Sequence, residues 1–213
     1  MLTEVRKSLY NRENKTKLNI LLNVLIVLVI FVLVFEIYFM TNYSGVYVDG
    51  ESMECTLVDG DYVYIDKHAK PDYGDIVVVY LNSEEKYIIK RAVAFGGDRV
   101  KIVDGQLQIM YSGTKEFVKI EETYLSDDHN KIKDSYPYDK DGKFISDGEE
   151  VDDGCIFLLG DNRDNSFDSR KFGSLPMENL DGVVTKWSLE HKSFCTKFYN
   201  FFKVKLPAFF KLK

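Results

Sequence analysis

Lys86-Tyr87-Ile88-Ile89-Lys90-Arg91-Ala92-Val93-Ala94-Phe95, closed by Gly96-Gly97-Asp98, is the run on which the fold turns. A stretch rich in β-branched and aromatic side chains that stops at a Gly-Gly signal predicts a strand. Its neighbour, Asp75-Ile76-Val77-Val78-Val79-Tyr80-Leu81, is continuously apolar, as a strand buried on both faces would be. Further strands are predicted on either side of this pair. Tyr62-Val63-Tyr64-Ile65 lies between Gly60-Asp61 and Asp66-Lys67-His68, and Cys155-Ile156-Phe157-Leu158-Leu159 precedes Gly160-Asp161. Arg99–Val103 and Gln106–Ile109 flank Asp104-Gly105, a hairpin signal. Val183-Val184-Thr185-Lys186-Trp187-Ser188-Leu189 reads as the last strand. Short strands with turn punctuation, and no convincing amphipathic helix, predict an all-β body. Residues 111–153 are rich in Asp, Lys, Tyr and Gly and read as a solvated insertion with its own hairpins. A calcium loop fails there on spacing, since Gly142 follows Asp139 by three residues rather than five.

Upstream of the strands, Leu18 to Phe35 carries no charged residue, and apolar character persists to Met40. Helical residues 18–40 would span about 34 Å, against a hydrocarbon core of about 30 Å. No small-x-small pair follows (Thr41-Asn42-Tyr43-Ser44), so the run predicts a retained transmembrane helix rather than a cleaved leader. Arg6, Lys7, Arg12, Lys15 and Lys17 precede it, and only Glu36 lies near its far end. That bias predicts a cytoplasmic N-terminus and an outward-facing body, with Tyr38, Phe39 and Tyr43 at the outer interface.

The net charge of −6 conceals an asymmetry. Residues 43–191 hold 17 basic and 31 acidic side chains, a net −14, whereas residues 192–213 hold six lysines and no acid. So acidic a body repels phosphate backbones, which argues against nucleic-acid binding. Cys55, Cys155 and Cys195 form an odd, scattered set without CxxC spacing, which speaks against a disulfide framework or a zinc site but leaves a single bridge open. His68, His129 and His191 have no HxxxH or HExxH spacing and read as surface residues.

Candidate chemistry lies in Val48-Asp49-Gly50-Glu51-Ser52-Met53, a serine in a Gly-containing turn, and in Lys90. A serine hydroxyl is a weak nucleophile until a positioned base takes its proton. A lysine can do so near neutrality only if its pKa of ~10.4 falls by about 3 units, a cost of roughly 4 kcal/mol. Desolvation in an apolar strand, behind Ile88-Ile89, is a means of achieving that.

Four stretches occur in order: Gly50-Glu51-Ser52-Met53-Glu54-Cys55-Thr56-Leu57, Gly74-Asp75-Ile76-Val77-Val78, Lys90-Arg91-Ala92-Val93-Ala94-Phe95-Gly96-Gly97-Asp98, and Gly160-Asp161-Asn162-Arg163-Asp164-Asn165-Ser166-Phe167-Asp168-Ser169-Arg170-Lys171-Phe172-Gly173. Together they closely resemble the boxes of bacterial type I signal peptidases, over about residues 15–190, on a chain with the matching anchor. The resemblance implies an all-β fold of two antiparallel β-sheet subdomains, a catalytic core and an inserted cap, behind a single N-terminal transmembrane helix. The division would be a cytoplasmic segment 1–17, a membrane helix 18–40, core 41–98, inserted subdomain 99–153, core 154–191 and a basic aromatic tail 192–213.

It further implies Ser52 as nucleophile and neutral Lys90 as general base, with Ser166 hydrogen-bonding and orienting the Lys90 amine. Asp161, Arg91, Asp168 and Arg170 would be supporting ion pairs. Val48, Met53 and Ile89 would line shallow pockets for small residues one and three positions before the cleaved bond. The substrates would be secreted preproteins, and neither metal nor other cofactor would be needed. Two positions depart from the family pattern. Gly50 stands where many relatives place a serine whose hydroxyl adds to the oxyanion hole, and Cys55 stands where the family usually has proline. The tail lies beyond the resemblance; Phe194, Phe198, Tyr199, Phe201, Phe202, Phe209 and Phe210 among six lysines fit an interfacial lipid-binding segment or a short packed helix. Other readings of the body are a non-catalytic membrane-anchored binding protein and a self-cleaving serine-lysine repressor. The first leaves Ser52, Lys90 and Ser166 unexplained, and the second lacks its DNA-binding segment and needs no anchor.

Overall fold

The computed structural model describes residues 2–130 and 135–203. Two compact units result, one up to Tyr43 and one from Ser44 onward. The first is a single helix, α1 (Leu2–Asn42). Within it Lys15–Asn42, 28 residues, is long and apolar enough to cross a membrane, and its most apolar 18-residue stretch has a mean hydropathy of 3.1. None of that stretch is buried, and Leu21, Val27 and Phe31 are each about two-thirds exposed.

The second unit is β-rich. Its strands in chain order are β1 (Tyr43–Tyr47), β2 (Tyr62–Asp66), β3 (Ile76–Leu81), β4 (Lys86–Phe95), β5 (Arg99–Val103), β6 (Gln106–Met110), β7 (Val118–Lys119), β8 (Glu149–Glu150), β9 (Cys155–Leu159), β10 (Leu175–Pro176) and β11 (Leu180–Val184). Seven of them form one sheet in the order β1-β2-β11-β3-β4-β9-β10, and four form another in the order β7-β6-β5-β8. The paired strands run antiparallel, with Val77 opposite Lys90 and Arg91 opposite Leu159. Lys90 and Arg91 therefore sit mid-sheet, where the apolar runs of β3 and β9 flank them. Val77 and Val79 of β3 and Ile156 and Leu158 of β9 are buried in one core cluster, and a second holds Val48, Met53, Leu57, Val63 and Ile65.

The strand expected over Val183–Leu189 ends early. After β11 the chain turns into a short helix, α3 (Lys186–Glu190), capped at Thr185, whose hydroxyl accepts from Ser188 N–H. Buried Ser188 accepts from Tyr64 N–H at 3.1 Å, so its side chain takes up the β2 edge that a longer strand would have paired. A second helix, α4 (Lys192–Lys203), corrects the expectation of no amphipathic helix. Cys195, Thr196 and Tyr199, spaced for one helical face, all meet β2 or its surroundings. From residue 204 the basic aromatic tail lies outside the described residues. The remaining helix, α2 (Ser169–Phe172), is capped by Asp168. Cys55, Cys155 and Cys195 are all free.

Candidate active site

The turn carrying Ser52 is anchored from below. Met53 and Leu57 are fully enclosed, and Thr56 and Leu57 N–H groups donate back to Met53 O. Gly50 has φ +103°, a left-handed conformation open to glycine at low cost, and its N–H donates to Asp59 Oδ1 at 2.9 Å. From the side, Asn162 N–H donates to Ser52 O at 3.1 Å. The loop after β9 thus holds the nucleophile's own carbonyl, leaving its half-buried side chain at the surface of the turn.

Lys90 is 4% exposed, and its Nζ donates to Ser52 Oγ at 2.7 Å and to Ile89 O at 2.8 Å. Burial pushes the amine down to about 8; Asp168 and Asp161 pull it partly back and Lys86 lowers it further. Such an amine is substantially neutral in mild alkali and lies within proton-transfer distance of the hydroxyl.

Two arginine–aspartate forks frame this pair. Arg91 donates to Asp161 Oδ1 at 2.8 Å and Oδ2 at 2.6 Å, with both partners buried, and also to Gly74 O and Thr56 Oγ1. Thr56 closes the ring by donating to Asp161 Oδ2 at 2.5 Å, so a residue four beyond Ser52 is tied to the same fork. Arg170 donates to Asp168 Oδ1 at 2.8 Å and Oδ2 at 2.9 Å, and Asp168 also accepts from Gly160 N–H. Burial alone would raise the Asp168 carboxyl, but Arg170 and Gly160 outweigh it and hold it below the ordinary aspartate value. Single members of such buried pairs are costly to remove, because the partner is left charged in the interior.

Ser166 Oγ is buried close to Asp168, whose carboxyl it helps to hold down, and the Lys90 amine is directed to Ser52 and Ile89 O. Val48 and Met53, at 2% and 0% exposure, belong to the core beneath the turn and have no surface for a substrate; only Ile89 is half-exposed. His129, half-exposed, has partners beyond its own stretch of chain. Its Nε2 lies 3.2 Å from Glu54 Oε2 and its Nδ1 2.9 Å from Ser126 Oγ, which in turn is 3.4 Å from Cys55 Sγ.

His129 belongs to a strap, residues 122–129, that touches the Ser52 turn and the loop after β9. Glu122 pairs with buried Arg163, which also donates to Gly160 O at 3.1 Å. The Tyr124 ring lies 3.7 Å from the Arg91 guanidinium and its hydroxyl donates to Glu122 at 2.6 Å. Only Arg163, within the fourth box, carried a sequence signal; Glu122 and Tyr124 carried none. Cys55 has φ +93°, which proline cannot adopt, so the turn takes a course there that proline would forbid.

A serine hydroxyl in contact with a buried amine is an arrangement in which a lysine can serve as base to a serine nucleophile. Comparison with known proteins gives the family. The family described as "Signal peptidase, peptidase S26" matches residues 18–188. Signal peptidase I of Bacillus caldolyticus is 33% identical over 162 residues, covering 73% of this chain and 85% of that protein. Signal peptidase I U of Bacillus subtilis (strain 168) is 32% identical over 153 residues, covering 69% and 74%. A solved signal peptidase I from Enterococcus faecalis V583 is 27% identical, with a TM-score of 0.43, covering 55% of this chain and 98% of that one. The chain belongs to the peptidase S26 family of signal peptidases, and it is a serine-type peptidase.

Two predictions follow from the geometry. Below pH 8 the fold bears the full cost of burying an ammonium; between about 8 and 10.5 only the unfolded chain keeps that proton, so stability rises with pH through this window. Lys90→Met therefore melts higher than wild type at pH 7, by about 1–2 kcal/mol after the lost hydrogen bonds, with the advantage fading toward pH 10.5. A lower melting temperature at every pH would contradict it. Separately, a Cβ on Gly160 would meet Ser166 Oγ and lie 2.5 Å from Ser52 O. Gly160→Ala accordingly displaces the nucleophile turn and lowers kcat by roughly a hundredfold or more, which peptide-cleavage kinetics on the folded variant measure.

Proposed function

We propose that the chain removes signal peptides from secreted preproteins at the outer face of the cytoplasmic membrane, anchored by α1 with its N-terminus inside. The observation that carries this reading is the contact of the buried Lys90 amine with Ser52 Oγ at 2.7 Å. Residues 41–98 and 154–191 would be the two parts of the catalytic core and residues 99–153 an inserted cap.

In the proposed sequence, neutral Lys90 takes the Ser52 proton as Oγ attacks the scissile carbonyl. The tetrahedral oxyanion is met by the Ser52 backbone N–H; Gly50 has no hydroxyl to add, and its N–H already binds Asp59. Collapse breaks the C–N bond, and the Lys90 ammonium returns its proton to the departing amine of the mature protein. The signal peptide is then an ester on Ser52. Water, deprotonated by Lys90, hydrolyses that ester and restores the hydroxyl. Acylation removes the hydroxyl that Lys90 holds. Ser166, buried on the same side of Gly160 as the Ser52 carbonyl, would then take up the freed amine hydrogens. Half-exposed Ile89 would form the side of the pocket that admits only small residues.

The reading is tested by incubating the full chain in detergent with a preprotein bearing an Ala-x-Ala site. Cleavage after the second alanine is expected. Ser52→Ala and Lys90→Ala should abolish it, Cys55→Ser should not, and Ser166→Ala should lower kcat by roughly tenfold to a hundredfold. The acid limb of kcat/KM against pH should fall near 8, where the free amine gains its proton. An active Ser52→Ala enzyme would overturn the dyad.

A further inference from the structure

One side of α4 is committed to the body, and the side next to it carries exposed aromatic rings. On the committed side Cys195 is buried, Thr196 Oγ1 accepts from Tyr62 N–H at 2.9 Å, and the Tyr199 ring stacks on Tyr62 at 4.1 Å. On the adjacent stripe, at helical spacing, Phe194, Phe198 and Phe201 are 59%, 48% and 57% exposed, and Phe194 stacks on Phe198 at 6.0 Å. Trp187 of α3, 53% exposed, stacks on His191 at 5.3 Å. Lys186 and Lys197 are exposed among these rings.

From this we propose that the aromatic face of α3 and α4 seats on the headgroup region of an anionic lipid bilayer. The inference rests on α1 being the anchor and extends that reading to a second membrane contact. Two observations select lipid as the occupant. Large exposed rings grouped with lysines suit the boundary between headgroups and acyl chains. The sign of charge fits, since residues 192–213 carry six lysines and no acid on an otherwise acidic body that anionic lipid would repel.

Seating would have a consequence at the active site. Lys192 at the start of α4 donates to Thr56 O at 2.6 Å and lies 3.3 Å from Asp61. The membrane-facing helix is thereby bonded to the turn that carries Ser52, which fixes the height of the nucleophile above the bilayer. The matched family region stops at residue 188, before α4 begins.

Trp187 is the only tryptophan in the chain, so it reports this contact directly. The full chain is reconstituted into vesicles of phosphatidylcholine and phosphatidylglycerol, with or without bromine on the acyl chains. Flotation after an alkaline wash first establishes insertion; a chain that fails there refutes the anchor itself. In the inserted chain, quenching of Trp187 by brominated lipid, lost in Phe194→Glu/Phe198→Glu, is the expected result. An inserted chain with unquenched Trp187 overturns the proposal, as does an emission shift that grows with protein-to-lipid ratio without quenching, which would assign the face to a second copy. The wild-type quenching decides by itself, and detergent-phase cleavage of a peptide by the double variant shows that its fold is intact.

Discussion

A lysine amine enclosed by protein and pressed against a serine hydroxyl is the constraint on which the structure depends. On the proposed mechanism, water would keep that amine charged and useless as a base, so the fold must exclude water without excluding the substrate. The central strands answer the first demand. Lys90 lies mid-sheet opposite Val77, and Met53 and Leu57 fill the space beneath the turn that carries its partner. The second is met by leaving Ser52 half-exposed, on a turn rather than a strand. Burial of the amine destabilises the fold while enabling the chemistry, an opposition common at catalytic sites.

The charged groups around the dyad serve geometry more than stability. Buried forks such as Arg91–Asp161 roughly offset their own desolvation. What they supply is register: Asp161 joins Thr56, on the Ser52 turn, to Arg91, next to Lys90. Asp168 reaches Gly160, whose bare Cα lets the Ser52 carbonyl and the Ser166 hydroxyl approach together. Their negative charge also sets a floor on the Lys90 pKa, so the amine stays basic enough to accept a proton. The strap adds Glu122, Tyr124 and His129 to this frame, linking the second sheet's connections to the Ser52 turn and the loop after β9.

Much of the fold was legible because strand signals are local. β4 and β9 fall where their apolar runs and closing glycines placed them. The long apolar helix was legible from composition, and the boxes around Ser52 and Lys90 marked the two stretches that the fold brings into contact. What stayed hidden was set by long-range partners. Val183–Leu189 looks like one strand until Ser188 is seen bonding Tyr64, 124 residues away. Met53 reads as a pocket residue beside a nucleophile, yet the core takes it in completely. Glu122 and Tyr124 sit in a polar insertion with no motif, and only folding brings them to Arg163 and Arg91. His129 is a further case: spacing within the sequence says nothing of Glu54, 75 residues earlier.

The account stands on the charge state of one amine. NMR of the chain labelled with 13C at lysine Cε, titrated with pH and assigned by comparison with Lys90→Met, measures it directly. The Lys90 resonance is predicted to titrate near 8, apart from the other lysines. A Lys90 resonance that titrates with the bulk lysines near pH ~10.4 would contradict the account, because the base would then be charged wherever the enzyme works.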